Sequence, residues 1–410
     1  MQKRYAGEFR RSLLIGVAIG LSLALVFAAG FFARDLVNLP TSIASTGSYP
    51  LLDEVQGLLD RHFLREQPSK DEREYAAIRG VLSALNDRFT FFIDPPVAAS
   101  ESDALAGTYG GIGVQIKRNE RGDIELYPYD DSPAQKAGIT NGDILLAVNG
   151  QALNPDTPQD SVDQMMRGEV KEGNGVELSV RRVAGGEDFT EFILFDVINV
   201  PSVIWRVLPE SSTLGYVQIT RFTGRTPDEL KAALTDLQAS GVQALVLDLR
   251  NNTGGLLDES IQVANAFVES GPLVYQVDNR GERAFEAQPG NMLTNLPLAV
   301  LVNDYTASGA ELVAGAIQDD QRGILIGQKT YGKGTVQQIF PLSDKSSLHV
   351  TSAEWLTPLH HALDTIGLQP DIAMIPDAQG RDVELGEAVH YLQGVLLESS
   401  TARDVPVAAG

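Results

Sequence analysis

The stretch "LAVLVNDYTASGAELVAGAIQ", Leu298 to Gln318, joins a strand pattern to a helix pattern. Its first five residues form a short apolar run typical of a buried strand, and the part from Ser308 onward has helical spacing. Ser308 therefore lies where a strand ends and a helix begins. This position has two interpretations. Ser308 either caps the helix, with Glu311 completing a capping box, or acts as a nucleophile beside the free N–H groups of the helix N-terminus.

Similar apolar runs occur on both sides of this stretch. "LGYVQIT", "ALVLDLR" and "GILIG" are separated by helical stretches such as Pro227–Ala239 and Asp258–Val268. This alternation predicts an α/β layer over residues 187–380. A final amphipathic helix is predicted at Val383–Leu397.

A candidate base for Ser308 follows in "TYGKGTVQQIF", where Lys333 stands between two glycines. The glycines allow an ammonium to approach another backbone closely, and burial would favour the neutral amine, which is a general base. Period-two alternation predicts that Lys333, Thr335 and Gln337 share one strand face, so Gln337 can hold the amine in line. The alternative is a surface lysine in a glycine turn.

Histidine is the usual partner of a catalytic serine, and the chain has five: His62, His349, His360, His361 and His390. None of them lies in a glycine-rich or strand-end setting that obviously directs it at Ser308. The pair His360 and His361, in "PLHHALD", leaves a Ser-His hydrolase of small esters as an alternative. No H-E-x-x-H motif is present, and we expect neither a metal nor another cofactor.

A candidate oxyanion hole comes from "LDLRNNTGG", Leu247 to Gly255, where an apolar strand ends in a glycine-rich turn. Gly254 is a candidate for one N–H donor, and the backbone of Gly309 for the other. A Gly-Gly turn is weak evidence by itself and matters only beside Ser308.

The segment from residue 105 to residue 186 has the pattern of a small β-rich module. "GTYGGIGVQI" places a glycine-rich turn before an alternating strand, and consecutive N–H groups in such a turn can bind a terminal carboxylate. An extended peptide can then pair with the strand. The candidate peptide-binding residues are Gly110, Gly111, Ile112, Gly113 and Val114. The last apolar side chain of the peptide would contact Ile112 and Val114.

The N-terminal part has two predicted features. Lys3, Arg4, Arg10 and Arg11 precede Leu13–Ala33, which carries no charge and is long enough to span a bilayer. We therefore expect an uncleaved single-pass anchor with the rest of the chain outside the cytoplasm, or a secreted protein if the segment is cleaved. Helices are predicted from Leu51 and from Glu72, and "DPP" at Asp94–Pro96 is predicted to end regular structure.

Composition limits the classes of partner. The net charge of −22 argues against binding to nucleic acid, and the absence of cysteine excludes disulfides and thiolate catalysis.

These motifs, in this order, resemble the C-terminal processing peptidases, also called tail-specific proteases. The matching blocks are "YGGIG", "SPAQKAGITNGDILLAVNG", "GYVQITRF", "LVLDLRNNTGG", "TASGAE", "TYGKGTVQ" and "GLQPDI". The resemblance implies a serine endopeptidase that needs no cofactor. Ser308 would be its nucleophile, Lys333 its base and Gln337 the residue that orients the base. Gly254 and Gly309 would form its oxyanion hole.

The resemblance also implies a multidomain α/β protein. The predicted parts are a basic flank and signal-anchor helix (1–35), a tether (36–50), a helical region (51–104), a PDZ domain (105–186), a crotonase-like or Clp-protease-like core (187–380), and a C-terminal helix and tail (381–410). The implied substrates are proteins with apolar C-terminal tails.

Three points stay open at this stage. The main rival function is an inactive PDZ scaffold, although a scaffold has no need of the complete set of Ser308, Lys333 and Gln337. Arg167, in "MMRGEV", is a candidate for gating contacts with the core, or else a solvated surface arginine. The helical region 51–85 and the terminal helix are candidates for a homodimer contact.

Overall fold

A computed structural model describes residues 49–403 except 120, 154–156, 158, 184 and 378. The predicted anchor Leu13–Ala33 lies outside the described residues, as does nearly all of the predicted tether. Within the described part, no helix has the length and apolar character needed to cross a bilayer. The described residues fall into two compact units, one up to Arg73 and one from Glu74 onward.

The first part of the predicted helical N-terminal region contains two helices. They are α1 (Pro50–His62) and α2 (Lys70–Ser83), and the change of unit falls within α2. None of the residues of α1 is buried, and its apolar side chains Leu51, Val55 and Leu58 are 45–74% exposed. The unit before Glu74 therefore leaves apolar helix surface uncovered by its own described residues.

The prediction that Asp94–Pro96 ends regular structure is wrong. A helix, α3 (Pro95–Ala106), begins there. Proline suits the first helical position, because its missing N–H has no partner there and its fixed φ is already helical. The helix ends at Ala106, and the next residue, Gly107, has a left-handed φ of 72°, which glycine readily adopts.

The predicted PDZ segment and the strand after it form one sheet in the order β3-β4-β5-β7-β8, with β6 paired to β5, so the module extends beyond the end predicted at residue 186. Its elements are β3 (Val114–Arg118), β4 (Ile124–Pro128), α4 (Pro133–Lys136), β5 (Asp143–Val148), β6 (Gln151–Ala152), α5 (Gln159–Met165), β7 (Gly175–Arg181) and β8 (Asp188–Leu194). A separate antiparallel ribbon of β2 (Thr108–Gly111) and β9 (Asp196–Asn199) brings the chain into this module and out of it.

The core contains a six-stranded sheet in the order β10-β11-β12-β15-β16-β19, parallel except for β10. Its strands are β10 (Val203–Leu208), β11 (Ser211–Ile219), β12 (Ala244–Asp248), β15 (Leu298–Val302), β16 (Ile324–Gly327) and β19 (Ile372–Ala373), and its helices are α6 (Thr226–Ala239), α7 (Leu257–Asn265), α8 (Gly309–Asp319) and α9 (Val383–Arg403). The predicted strands and helices of the α/β layer are confirmed, with small shifts at their ends.

Both faces of this sheet are covered, as the apolar runs require. Leu245 and Leu247 belong to the same buried cluster as residues of α6, α7 and α8. Ala244 and Val246 lie in a second cluster with residues of α9. The terminal helix therefore packs apolar side chains against the sheet of its own chain.

A second sheet was not predicted from the sequence. Strand β18 (Ser347–Leu356) pairs with β17 (Thr335–Pro341), with β1 (Phe91–Ile93) and with β13 (Pro272–Asp278), which in turn pairs with β14 (Gly281–Glu286). Strand β1 thus connects the segment before α3 to the sheet that follows Lys333.

Arg250 links the core sheet to the terminal helix. Its guanidinium lies 2.6 Å from Asp248 and 2.7 Å from Asp382, and Asp248 is only 1% exposed. We expect Arg250→Leu to lower the free energy of unfolding by about 3–5 kcal/mol, because the charge of Asp248 is left buried and unpaired. Urea unfolding measures the change. Arg381→Leu removes a mostly exposed arginine and should change stability little. Equal losses of stability in the two variants would contradict a stabilising role of Arg250 beside the buried Asp248.

Candidate active site

Ser308 lies at the carboxyl edge of the parallel sheet, just after β15 and at the start of α8. Its φ of 56° and ψ of −120° are unusual for a residue with a side chain. Such a conformation costs on the order of 1–3 kcal/mol and persists where the surroundings enforce it, most often at functional sites. The sharp turn brings Ser308 to the wall of a cleft, where it is only partly buried.

The side chain of Glu311 connects Ser308 to the loop that carries Lys333. Glu311 is fully buried, and its Oε2 accepts from the N–H groups of Ser308 (2.9 Å) and Lys333 (2.8 Å). Its Oε1 accepts from Gly332 N–H (2.8 Å) and Thr330 Oγ1 (2.6 Å). Sequence reasoning gave Glu311 only the role of a helix cap, because the loop partners lie about twenty residues away.

Lys333 lies in the loop before β17, and not on the strand as the alternation predicted. Strand β17 begins at Thr335 and has an irregularity after Val336. The loop packs closely, since a side chain on Gly334 would collide with the backbone of Asp364. Gly334 thus lets two backbones approach closely, whereas the close approach predicted from the sequence is that of the Lys333 ammonium to a backbone, and the described neighbour of this ammonium is the Phe89 ring.

The surroundings of the Lys333 ammonium pull its pKa in two directions. Burial lowers the pKa below the usual lysine value, the Glu101 carboxylate opposes this shift, and the guanidinium of Arg88 adds to it. The Nζ atom lies 5.0 Å from the centre of the Phe89 ring. Among the described residues, Nζ donates no hydrogen bond to Ser308.

Gln337 and Gly254 also have hydrogen-bond partners other than those that the proposed catalytic roles require. Gln337 Nε2 donates to Thr335 Oγ1 (2.9 Å). Gly254 N–H donates to Asn252 Oδ1 (2.8 Å), although Gly254 is so close that a Cβ on it would lie 2.9 Å from Ser308 Cβ. The described arrangement therefore brings the candidate residues together without their catalytic hydrogen bonds.

A cleft of about 560 Å³ contains Ser308, Gly309, Lys333 and Gln337. Its other lining residues include the apolar side chains Leu256, Leu257, Leu312 and Trp355 and the polar side chains Glu101, Arg221, Glu259 and His349. The cleft is large enough for several residues of an extended peptide.

The histidines suggested as an alternative base are not among the lining residues of this cleft. His360 Nε2 lies 3.2 Å from Glu282, and His361 Nδ1 lies 3.8 Å from Asp319. Sequence reasoning missed His349, which does line the cleft and whose Nε2 lies 3.0 Å from Glu101. Within the described residues, no group of three or more His, Asp or Glu side chains is arranged to hold a metal ion.

The candidate peptide-binding residues divide between two elements. Gly110 and Gly111 belong to β2 and pair with β9, while Ile112, Gly113 and Val114 lead into β3. Ile112 and Val114 are almost fully buried in the core of the module. Among the described strands, β3 pairs only with β4 and is therefore an edge strand. Gln159 Nε2 of α5 donates to Ile116 O of β3.

Arg167 is not a freely solvated surface residue. Its guanidinium pairs with Asp163 (2.5 Å) and lies 4.2 Å from the centre of the Tyr109 ring. It also lines a cavity of about 320 Å³ that includes Arg221 and Thr223 of the core. The described position is compatible with the gating role suggested from the sequence.

Comparisons with known proteins agree with this architecture. The sequence profile of peptidase family S41 matches residues 213–374, and that of the PDZ domain matches residues 126–173. The carboxy-terminal-processing protease of Bartonella bacilliformis is 33% identical over 383 residues, covering 89% of this chain and 86% of that protein. The chloroplastic carboxyl-terminal-processing peptidase 2 of Arabidopsis thaliana is 35% identical over 396 residues, covering 89% and 75%.

A putative S41 protease from Bacteroides fragilis has a similar fold, with a TM-score of 0.50 at 18% identity, over 85% of this chain and 99% of that one. The identity to the curated relatives extends over most of both chains, and the S41 match includes Ser308, Lys333 and the parallel strands β12, β15 and β16. The resemblance seen in the motifs is confirmed: the chain belongs to the carboxyl-terminal-processing proteases of peptidase family S41 and is a serine peptidase.

Proposed function

We propose that this peptidase is an endopeptidase that uses Ser308 as nucleophile and Lys333 as general base, without a metal or other cofactor. The observation that carries the proposal is the buried Glu311 carboxylate, which accepts hydrogen bonds from the backbones of both residues. The depressed pKa of Lys333 supports it, because a lysine acts as a base only when neutral.

The proposed reaction has two steps. Lys333 takes the proton from Ser308 Oγ as that oxygen attacks the scissile carbonyl carbon, and the resulting ammonium gives a proton to the leaving amine. The neutral lysine then activates a water that hydrolyses the acyl-enzyme. Gly254 and Gly309 donate N–H groups to the oxyanion, and Gln337 orients the amine. Gly254 must exchange Asn252 for the substrate oxygen.

We further propose that the PDZ domain binds the apolar C-terminal tail of the substrate. The edge position of β3 in the described sheet supports this, since an extended peptide can add a strand there. The anchor predicted at Leu13–Ala33 would place the peptidase on the outer side of the cytoplasmic membrane. The exposed apolar residues of α1 are our candidate contact for a homodimer.

Tail recognition is tested with the full-length protein in mild detergent. The substrate is an unfolded test protein ending in apolar residues, and the control substrate ends in two aspartates. We expect faster cleavage of the apolar tail by at least about tenfold, a difference typical of one or two side-chain contacts. Equal rates would contradict recognition of the tail, and no cleavage of either would favour the inactive scaffold.

The pH dependence tests the base. We expect kcat/KM to rise with pH through the pKa of Lys333, because the fraction of neutral amine rises, with the midpoint below the ordinary lysine value of about 10.4. Initial rates are measured over the pH range in which circular dichroism shows that the protein stays folded. A flat profile, or one that falls as pH rises, would contradict a lysine base.

A further inference from the structure

Arg221 lines the catalytic cleft next to the glycine turn that packs against Ser308. The residue after it, Phe222, donates its N–H to Gly254 O (3.0 Å) and forms a bridge with Gly255. Gly254 is so close to the nucleophile that a Cβ on it would lie 2.9 Å from Ser308 Cβ. Arg221 is thus one residue away from a backbone hydrogen bond to the turn beside the nucleophile.

The guanidinium of Arg221 has no hydrogen-bond acceptor and no ion-pair partner among the described residues. Its Nε is buried and donates to none of them. Arg73 and Arg167 also have a buried Nε without an acceptor. Their other guanidinium nitrogens, however, form ion pairs with Asp60 and Asp163. Arg221 differs from both because its whole guanidinium lacks such a partner within the described part of the chain.

A partly buried guanidinium is expected to have an anionic partner. Arginine stays protonated in proteins, and an unpaired charge is costly to bury. Contact with His349 and, to a smaller extent, the charge of Arg221 hold the pKa of the Glu101 carboxylate below its usual range. That carboxylate lies 3.0 Å from His349 Nε2 and forms no described ion pair with Arg221. The N–H donors of Arg221 are therefore available to a ligand.

The ligand that suits these donors best is a carboxylate. The guanidinium N–H groups form a planar fork that matches the two oxygens of a carboxylate. The cleft of about 560 Å³ has room for several residues of a substrate, so a carboxylate near the cleaved bond can reach Arg221. The cleft is also lined by Glu101, Asp258 and Glu259, which repel an anion. Binding of a carboxylate there therefore depends on Arg221 in particular.

We propose that Arg221 binds a carboxylate of the substrate inside the catalytic cleft, and that it thereby selects chains with a carboxylate within a few residues of the cleaved bond. The carboxylate belongs either to the C-terminus of a short tail or to an Asp or Glu side chain. The inference rests on the proposed function of Ser308 as nucleophile, because this residue defines the bond that is cleaved. It adds a second determinant of specificity to the binding of tails by the PDZ domain.

The first test compares cleavage of matched peptides by the full-length parent and by Arg221→Gln. One pair ends about one to five residues after the cleaved bond, as a free acid or as an amide, since an extended chain spans about 3.3 Å per residue. The other pair carries Glu or Gln at each position around the cleaved bond in turn and ends in an amide. We expect the parent to prefer the carboxylate in one pair by about tenfold or more in kcat/KM, and Arg221→Gln to lose this preference. The pair that responds identifies the source of the carboxylate.

Two further variants are the controls. The guanidinium of Arg225 already has partners, Glu229 and Asn199, both at 2.9 Å, and Arg225 is not among the lining residues of the cleft. Arg225→Gln should therefore keep the preference of the parent. Arg221→Lys should keep part of it, because lysine retains the charge without the planar fork. Binding of a free acid by the PDZ domain is the same in parent and variants, so it cancels when their preferences are compared.

A second measurement needs no cleavage. The Ser308→Ala chain is labelled with ¹⁵N-arginine, and the Nε–H NMR signal of Arg221 is assigned by its loss in the Ser308→Ala/Arg221→Gln chain. The peptide with the carboxylate should shift this signal, and its neutral partner should not. If the parent cleaves none of the peptides, the proposed function fails and this signal alone decides the inference. Equal preferences in the parent and Arg221→Gln, or an Arg221 signal that responds to neither carboxylate, would overturn it. Arg221 would then only balance the charge of Glu101.

Discussion

Ser308→Ala is expected to lower kcat/KM for the test protein by about 10⁴-fold to 10⁶-fold, the range found when a nucleophile that acts with its base is removed. The fold should survive, because the substitution removes one oxygen from a partly buried position. Alanine can adopt the backbone conformation of Ser308 at about the same cost as serine. The measurement is the cleavage rate of purified parent and variant at equal concentration, with circular dichroism to compare their folds.

Lys333→Arg is the matched variant for the base. Arginine keeps the charge but is not deprotonated in proteins, so the loss should approach that of Ser308→Ala. The double variant should be no worse than either single one, because the two residues act as a unit. A Lys333→Arg variant with the activity of the parent would contradict a lysine base. A large loss only in His349→Phe would instead point to a Ser-His pair.

Sequence patterns predicted the α/β core well, because its parallel strands are buried on both faces and appear as continuous apolar runs. The strand that ends near Asp248 and the helix that begins after Ser308 are examples. The second sheet was missed because its strands are more polar, as β14 (Gly281–Glu286) shows, and because its partners are far apart in the sequence.

Helix α3 was missed for a different reason. Two prolines after Asp94 suggested a stop, yet a proline at the first helical position favours a helix start. Because this helix was not predicted, Glu101 was not recognised as a residue of the cleft. His349 was recognised only as one residue of an alternating strand. The contact between the two residues joins positions 248 residues apart, so local periodicity carries no signal for it.

The residues of the candidate site could be predicted from the sequence, but the hydrogen-bond partners of their side chains could not. The positions of Ser308, Lys333 and Gln337 follow from the motifs, and the structure brings all three to one cleft. Which partner each side chain has depends on tertiary contacts. The glycines beside Lys333 allow close packing, since Gly334 lies against the backbone of Asp364, but the Lys333 ammonium predicted to approach a backbone lies at the Phe89 ring. The irregularity after Val336 and the loop before β17 have no signal in a period of two.

Glu311→Gln is expected to lower kcat by about a hundredfold or more, because small displacements of catalytic groups have effects of this size. The carboxylate accepts three backbone N–H groups and one hydroxyl, and glutamine replaces one accepting oxygen with an NH₂ group. At least one buried donor then loses its acceptor, which should lower the free energy of unfolding by about 1–3 kcal/mol. KM should change far less than kcat, since Glu311 is buried behind Ser308.

Glu229→Gln is the control for this prediction. Glu229 also accepts from backbone N–H groups, those of Ser202 (2.7 Å) and Val203 (3.2 Å), but it is not among the lining residues of the cleft. The Glu229→Gln variant should lose stability without a selective fall in kcat. If the two variants lose stability equally and both keep the parent kcat, Glu311 only stabilises the fold. A fall in kcat confined to Glu311→Gln would show that its carboxylate sets the distance between nucleophile and base, because among the described residues Glu311 accepts hydrogen bonds from the backbones of both.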